Sequence, residues 1–88
     1  MYEVFLHPTA AKFLVKADNV IAGRIKKKLK GLENSPESLG NHMKYTKFWK
    51  LRIGDYRAIY EILEAHKKVN VLFIGHRSDV YDNFSKLF

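Results

Sequence analysis

The chain has 88 residues, of which 47% are hydrophobic, and 16 Lys and Arg against nine Asp and Glu give it a net charge of +7. A chain of this size forms one small core and has room for one functional site. The absence of cysteine excludes disulfides, thiolate zinc sites and cysteine nucleophiles. No apolar stretch approaches the roughly 20 residues that span a bilayer, and the N-terminus lacks the apolar region of a signal peptide. We therefore expect one soluble, cytoplasmic domain over residues 1–88, with a negatively charged partner.

The first half of the chain predicts a strand and a helical hairpin. The β-prone run 2–6 ends at His7 and Pro8, and proline suits the first turn of a helix. Asp18 or Asn19 can then cap a second helix. Apolar residues at helical spacing form one stripe on each helix, Ala10, Phe13, Leu14 and Ala17 on the first and Ile21, Ile25, Leu29 and Leu32 on the second. A polar loop is expected over 37–45.

The second half predicts three strands. Residues 48–53 alternate between apolar and polar, Gly54-Asp55 is a two-residue hairpin signal, and 56–63 is the returning strand. The run 69–74 is apolar at nearly every position, which is typical of a strand in the interior of a sheet. The predicted fold class is therefore α+β: a small antiparallel sheet of one N-terminal and three C-terminal strands, with the helical hairpin on one face and a short C-terminal helix.

Three basic residues share the sheet face opposite the predicted core. If Gly54 and Asp55 form the hairpin loop, Arg52 lies opposite Arg57, and Lys50 projects from the same face. Directly opposed arginines repel each other by a few tenths to about 1 kcal/mol. Such a violation is expected where function requires it, and clustered cations suit a phosphate diester. A chance surface pair screened by water and salt is the alternative.

A histidine, an arginine and a tyrosine follow the last predicted strand, at His76, Arg77 and Tyr81. Arg77 shares the face of Arg57 only if the turn at 65–68 has the right length, and we expect that it does. Tyr81 can stack on a nucleotide base or can pack within the C-terminal helix. The apolar stripe predicted for that helix consists of Tyr81, Phe84, Leu87 and Phe88.

These residue types can cleave RNA through its own 2′-hydroxyl group. The reaction needs a base for the hydroxyl proton, positive charge around the pentavalent phosphorane, and an acid for the leaving 5′-oxygen. Guanidinium groups supply the charge, and Lys50 or His76 could act as the base. DNA lacks the 2′-hydroxyl and would not be cut by this route.

The second predicted helix exposes a run of cations without an acidic residue among them, namely Arg24, Lys26, Lys27, Lys28 and Lys30. A solvated helix face and a surface for RNA or an acidic partner both explain this run. The four histidines have no metal-ligand spacing, and no glycine-rich phosphate loop is present, so we expect neither a metal nor a cofactor.

Two segments of the second half, 48–60 and 74–81, together resemble the RelE toxins of toxin–antitoxin pairs. The segments read Phe48-Trp49-Lys50-Leu51-Arg52-Ile53-Gly54-Asp55-Tyr56-Arg57-Ala58-Ile59-Tyr60 and Ile74-Gly75-His76-Arg77-Ser78-Asp79-Val80-Tyr81. The resemblance extends over the whole chain, which is identified as a member of the RelE/ParE superfamily. It implies a compact α+β fold, cleavage of mRNA in the ribosomal A site, and inhibition by an acidic, RelB-like antitoxin that wraps the toxin.

The resemblance also implies roles for individual residues. Lys50 and Arg52 match the two basic strand positions, Arg57 matches the phosphate-stabilising arginine, and Tyr81 matches the C-terminal tyrosine. Arg77 matches the arginine proposed as the acid. Lys44 is similar to the basic loop position that contacts RNA, and Lys47 beside it is assigned to RNA binding, as are the helix-two lysines Lys26, Lys27, Lys28 and Lys30.

One position departs from the family pattern, because Arg52 stands where the family has the lysine proposed as the general base. A guanidinium stays protonated at neutral pH and is a poor base. Two functions therefore remain in view. The first is a ribosome-dependent mRNA endonuclease; the second is a binder of the same fold without catalysis, either a ParE-like gyrase inhibitor or a toxin relic that binds only its antitoxin.

Overall fold

The computed structural model describes residues 1–88, and its five strands form one mixed sheet. The strands are β1 Glu3–Leu6, β2 Asn41–His42, β3 Phe48–Ile53, β4 Tyr56–Leu63 and β5 Lys68–His76, in the spatial order β1-β5-β4-β3-β2. Four helices accompany the sheet, α1 Pro8–Lys16, α2 Asn19–Lys30, α3 Pro36–Leu39 and α4 Val80–Leu87. This confirms the α+β fold, and it confirms that β5 lies inside the sheet, between β1 and β4.

The sheet differs from the prediction at its N-terminal edge. All neighbouring strands are antiparallel except β1, which pairs in parallel with β5 from Glu3 opposite Lys68 to Leu6 opposite Val71. Strand direction across this pair is set by the path of the helical hairpin between β1 and the rest of the sheet. Local residue patterns carry no information about that path.

Side chains that accept hydrogen bonds fix the starts of the first two helices. The ring nitrogen Nδ1 of His7 accepts the backbone N–H of Thr9 at 3.2 Å, and Pro8 occupies the first helical position. Asp18 Oδ1 accepts the N–H of Val20 at 2.8 Å. Each cap satisfies a backbone donor that has no partner within its helix, which contributes about 1 kcal/mol.

The helical hairpin packs on one face of the sheet and forms the larger core. Leu14 of α1 and Ile25 and Leu29 of α2 are buried in one cluster with the sheet residues Leu51, Ala58, Tyr60, Val69 and Val71. Burial of a Leu or Ile side chain contributes roughly 1.5–3 kcal/mol. The predicted helix stripes and the predicted core face of the β3–β4 hairpin are confirmed.

The opposite face of the sheet is covered in part by α4. Val80 and Phe84 are buried there against Ile59 and Leu72. Gly75 permits this approach, since a Cβ atom at that position would lie 3.2 Å from Val80 Cγ2. Of the apolar stripe predicted for α4, only Phe84 is buried. Val80 takes the buried place expected for Tyr81, which is 37% exposed, and Leu87 and Phe88 are also exposed.

The β3–β4 hairpin has the predicted register. Arg52 pairs with Arg57 and Lys50 pairs with Ile59, and Gly54 at the first loop position has a φ of +59°. A positive φ at that position is required in type II′ hairpin turns and is readily adopted by glycine.

The segment between α2 and β3 is ordered, where a polar loop was predicted. The helix α3 is followed by the two-residue strand β2, which pairs with β3 so that Asn41 lies opposite Lys50. The buried hydroxyl of Tyr60 donates a hydrogen bond to the carbonyl oxygen of Pro36. Gly40 then passes so close to β3 that a Cβ atom would lie 2.8 Å from the carbonyl oxygen of Lys50. Elements of two and four residues are too short to produce a periodic pattern, so the loop prediction was wrong here.

Candidate nucleic-acid site

An open cleft lies beside α4, on the sheet face that the helical hairpin leaves uncovered. Its volume is about 580 Å³, and it is lined by Asn41, Lys50, Arg52, Arg57, His76, Arg77, Ser78 and Tyr81. All six residues predicted to be catalytic belong to this set. None of the lining residues carries a carboxylate, so the cleft presents four cations and suits an anion.

Strand pairing places three of these cations. Lys50 and Arg52 lie two residues apart on β3, and Arg57 on β4 is directly opposite Arg52. Residues in these positions project from one face, with Cβ atoms about 4.5–5.5 Å apart in the opposed pair. Arg57 Nη1 donates to the carbonyl oxygens of Gly54 and Tyr56, both at 2.8 Å. These carbonyls offset part of the repulsion between the two guanidinium groups and hold that of Arg57 at the hairpin end of the cleft.

Arg77 is held at the same end by a residue of the hairpin turn. Its backbone N–H donates to the carbonyl oxygen of Asp55 at 2.8 Å, and its Nε lies 3.6 Å from Asp55 Oδ1. Asp55 therefore fixes Arg77 both by the main chain and by charge. Lys50, Arg52 and Arg57 have no carboxylate partner within 4.0 Å, which leaves their charge available to a ligand.

His76 is oriented by Ser78 and by an aromatic contact. The backbone N–H of Ser78 donates to Nδ1 of His76 at 3.2 Å, and the rings of His76 and Tyr56 meet edge to face at 5.6 Å. Because a backbone N–H can only donate, Nδ1 of His76 is the accepting nitrogen, and the proton of the neutral ring is on Nε2. In this tautomer Nε2–H can donate to a phosphate oxygen, whereas it cannot accept a proton.

Lys50 lies between β2 and α4. Its Nζ is 5.8 Å from the centre of the Tyr81 ring, and Asn41 is its partner across the β2–β3 pair. A cation at this distance from a ring is attracted to its face. Tyr81 therefore lines the cleft rather than packing within the core, and its ring remains accessible to a nucleotide base.

The residues predicted to bind RNA occupy three separate places. Lys44 lines a second recess of about 780 Å³, which shares Asn41, Lys50 and Tyr81 with the cleft. Lys47 is outside both, with its Nζ 3.7 Å from Glu61 Oε1. The exposed lysines of α2, Lys26, Lys27, Lys28 and Lys30, belong to the helical hairpin on the other face of the sheet.

The cations of α2 are not brought into the cleft. Lys27 and Lys28 line a different recess of about 490 Å³, together with Arg24 and the hairpin turn at Gly54. They are spread along an exposed helix face, and the recess contains Ile53 of β3 but no cation of the cleft. The molecule thus has two basic surfaces on opposite faces of the sheet, which we call the cleft and the helix-two patch.

No group of three or more His, Cys, Asp or Glu side chains is close enough to hold a metal ion. None of the helices combines the length and the apolar surface that crossing a bilayer requires.

Shifted pKa values are found outside the cleft. Burial raises the pKa of the Tyr60 hydroxyl to about 12. At the turn before β5, hydrogen bonds from the Lys67 ammonium and the Tyr2 hydroxyl lower the pKa of Glu64, and the Glu64 carboxylate raises the pKa of Lys67. Tyr60 supports the segment that leads into β2 and so bears on the cleft, whereas the Glu64 group does not.

Three residues that shape the cleft were missed by sequence reasoning: Asn41 and Ser78 line it, and Asp55 holds Arg77 beside it. Asn41 falls in the segment that was predicted to be a loop, and Ser78 follows a strand end without a pattern of its own. Asp55 had a usable signal, because a carboxylate in the turn next to Arg57 is well placed to hold a further arginine. The sequence pattern by itself indicated only the turn position of Asp55.

Comparisons with known proteins agree with the fold. A family model described as the ParE toxin of type II toxin–antitoxin systems, parDE, matches residues 4–81. The toxin–antitoxin complex RelBE2 of Mycobacterium tuberculosis is similar, with 26% identity over 86% of this chain and 98% of that chain and a TM-score of 0.77. The intact RelBE complex of E. coli has 25% identity over 86% and 96% of the two chains, with a TM-score of 0.75.

The isolated RelE toxin of E. coli has the same fold, with 24% identity over 99% of this chain and 98% of that chain and a TM-score of 0.76. Comparison with curated protein sequences gives no match.

Proposed function

The chain belongs to the ParE toxin family of type II toxin–antitoxin systems, within the RelE/ParE superfamily, and from this premise we propose that residues 1–88 act as one toxin unit that cleaves mRNA on the ribosome. One observation carries the proposal: four cations, Lys50, Arg52, Arg57 and Arg77, line a cleft that has no carboxylate. A cleft of this kind attracts a phosphodiester and stabilises the additional negative charge of a phosphorane.

The proposed reaction is attack of a ribose 2′-oxygen on the adjacent phosphorus. The bond between the 2′-oxygen and phosphorus forms, the bond from phosphorus to the 5′-oxygen breaks, and the products are a 2′,3′-cyclic phosphate and a 5′-hydroxyl. Arg57 and Arg52 bind the non-bridging oxygens, as planar donors suited to a phosphate. Loss of one such group from a preorganised site costs roughly 10²–10³ in rate.

Proton transfer is assigned to the remaining groups of the cleft. Lys50 in its neutral form is the base that takes the 2′-hydroxyl proton, since Arg52 cannot act as one and the Nε2 of His76 already carries a proton. The leaving 5′-oxygen takes its proton from Arg77, which matches the arginine proposed as the acid, and Nε2–H of His76 donates a hydrogen bond to a phosphate oxygen. Tyr81 stacks on a base next to the scissile phosphate.

The proposed partners are the ribosome, its mRNA and an acidic RelB-like antitoxin. The RelBE2 and RelBE structures are complexes of a toxin with an antitoxin. The helix-two patch, with Lys44 and Lys47 at the other side of the molecule, suits the long-range attraction of ribosomal RNA or of an acidic polypeptide. A toxin that acts on translating ribosomes acts in the cytoplasm.

Primer extension on a translated mRNA tests this function. Wild-type protein should produce strong stops within codons, and Arg57→Ala should abolish them. Lys12→Ala is the matched control, because it removes the same charge from an exposed position on α1. Absence of stops with the wild type, or unchanged stops with Arg57→Ala, would refute the nuclease.

Inhibition of DNA gyrase is the second candidate function, and two observations favour it. The matching family model describes ParE toxins, and Arg52 occupies the position at which RelE toxins have the lysine proposed as the base. A supercoiling assay with purified gyrase separates the two functions. Inhibition of gyrase by a protein that leaves mRNA intact would establish the second.

A further inference from the structure

Tyr45 is the most exposed large hydrophobic side chain of the molecule. Its exposure is 101% of the reference value, whereas the next tyrosine in this respect, Tyr81, is 37% exposed. A large apolar ring in water stabilises nothing within the fold. Tyrosine rings are, by contrast, effective platforms on which nucleotide bases stack.

The backbone at Tyr45 adopts a conformation that side chains other than glycine rarely take. Its φ is +64°, in the left-handed region, which costs about 1–2 kcal/mol for a residue with a Cβ atom. Local hydrogen bonds impose this conformation. The Thr46 N–H and the Thr46 hydroxyl both donate to the Met43 carbonyl oxygen, at 3.2 and 2.8 Å, and Thr46 Oγ1 accepts the Phe48 N–H at 3.0 Å. The turn therefore directs the side chain of Tyr45 away from the rest of the fold.

The surroundings of Tyr45 connect it to the cleft. Its neighbours Lys44 and Thr46 both line the second recess, which shares Asn41, Lys50 and Tyr81 with the cleft. A nucleic-acid strand whose scissile phosphate lies among the arginines can therefore continue through this recess to the turn. Lys44, which lines this recess, supplies charge for the strand's phosphates.

From this arrangement we propose that Tyr45 is a positioning residue, which stacks on a base of the cleaved RNA strand that flanks the scissile nucleotide. The proposal rests on the proposed nuclease function and adds to it a second stacking contact, on the far side of Lys50 from the arginines. Stacking is tolerant of sequence, so Tyr45 fixes where the strand lies and not which base is chosen.

A binding cycle tests the contact directly. The probe is a fluorescent single-stranded oligonucleotide with 2′-deoxyribose at the cleavage position, and a series of such probes carries one abasic nucleotide at successive positions. Tyr45→Ala should weaken binding of the intact probe about tenfold, whereas Tyr45→Phe should leave it within twofold. One abasic position should weaken wild-type binding to the same extent and have no further effect on Tyr45→Ala.

Tyr45→Asn separates stacking from a structural role. Asparagine accepts the left-handed backbone but has no ring, so the Tm of this variant should be equal to or above that of the wild type while its RNA binding falls about tenfold. A Tm that falls together with binding would assign Tyr45 to the fold and overturn the proposal.

The outcomes for Tyr45 are distinct from those for the nuclease. Absence of oligonucleotide binding by the wild type, binding of Tyr45→Ala within twofold of the wild type, or absence of coupling to any abasic position would each refute the Tyr45 contact. Lower cleavage by Tyr45→Ala on translated mRNA without such coupling would indicate a contact with ribosomal RNA, which also overturns the assignment to the cleaved strand. The nuclease function itself is tested separately, by the loss of mRNA cleavage expected in Arg57→Ala.

Discussion

The cleft and the helix-two patch carry similar charge in different geometries. In the cleft, two paired strands and the turn at Asp55 hold Arg52, Arg57 and Arg77 around one volume. In the helix-two patch, lysines extend from an exposed helix into water. Charge on a sheet face at fixed separation can act on one phosphate with defined direction, whereas charge on flexible exposed side chains acts as a screened field. In the proposed function, the charge of the cleft therefore serves chemistry and that of the helix-two patch serves attraction.

The largest expected difference between the two surfaces is in catalysis. Arg57→Ala should reduce the rate of mRNA cleavage at least 100-fold, because Arg57 is proposed to bind the non-bridging oxygens of the phosphate. The double variant Lys27→Ala/Lys28→Ala removes more charge and should reduce cleavage less than tenfold at saturating protein. Rates measured by primer extension check this, with circular dichroism to verify folding. Equal losses in both variants would mean that charge alone matters.

The salt dependence of binding should be affected more by the helix-two patch than by the cleft. Binding to RNA or to an acidic antitoxin should weaken as salt rises, with a smaller slope in the variant that lacks Lys26, Lys27, Lys28 and Lys30. Each phosphate contact that is lost reduces the slope of log K against log salt by about 0.7 for single strands. Affinities measured at several salt concentrations give the slopes, and an unchanged slope would exclude the patch from the interface.

Two glycines give a matched pair in stability. Gly40→Ala introduces a methyl group against the Lys50 carbonyl oxygen and the buried Tyr60 hydroxyl, and it should lower the free energy of unfolding by about 1–3 kcal/mol. Gly23→Ala on α2 meets no atom within 4 Å, and it should raise this free energy by about 0.5–1 kcal/mol. Urea denaturation of both variants provides the measurement. A neutral Gly40→Ala would show that β2 does not pack closely against β3.

The free energy of unfolding at alkaline pH should depend on Tyr60, which supports the segment that leads into β2. The pKa of Tyr60 is raised from 10.0 to about 12 by burial, so the folded protein keeps a proton that the unfolded chain loses. This contribution is complete below pH 10 and is lost as the pH rises toward 12, by up to about 1.4 kcal/mol per pH unit. Tyr60→Phe should remove this slope, and Tyr56→Phe, on the same strand, should retain it.

Acid stability should show the smallest effect, at a place unrelated to either basic surface. Lys67 Nζ lies 2.8 Å from Glu64 Oε1 and lowers the pKa of Glu64. The resulting stabilisation is present above the ordinary carboxylate pKa of about 4.3 and is lost as the pH falls through the lower folded value. Glu64→Gln should therefore differ from the wild type at neutral pH and approach it in acid. A constant difference in the urea midpoint would contradict this.

Prediction from the sequence was most accurate for the elements whose apolar and polar residues follow a strict pattern. Alternation over β3 and β4 with a two-residue loop determines the register, and the register brings Arg52 opposite Arg57, which was the main signal of the site. The stripes of α1 and α2 identified their buried faces for the same reason. A shift of one residue would have reversed every side chain of the hairpin.

The remainder depended on tertiary structure that local patterns do not contain. The elements α3 and β2 are set by the Tyr60–Pro36 hydrogen bond and by the close approach at Gly40, which join residues distant in sequence. These two contacts place Asn41 in the cleft. In α4 the apolar residues Val80 and Tyr81 are adjacent, so that periodicity alone did not decide which one faces the sheet.

The parallel pairing of β1 with β5 has a consequence for the order in which the molecule forms. Strand β1 is synthesised first but cannot pair until β5, the last strand, has been made, since Glu3 pairs with Lys68 and Leu6 with Val71. The long loop between β1 and β5 must close before the contacts between these strands can stabilise the fold, and such closure is slow. A nascent chain that has reached only β4 holds Lys50, Arg52 and Arg57 but lacks both Arg77 and the ring of Tyr81. The cleft can therefore be completed only after the C-terminal part of the chain, through Tyr81, has been synthesised.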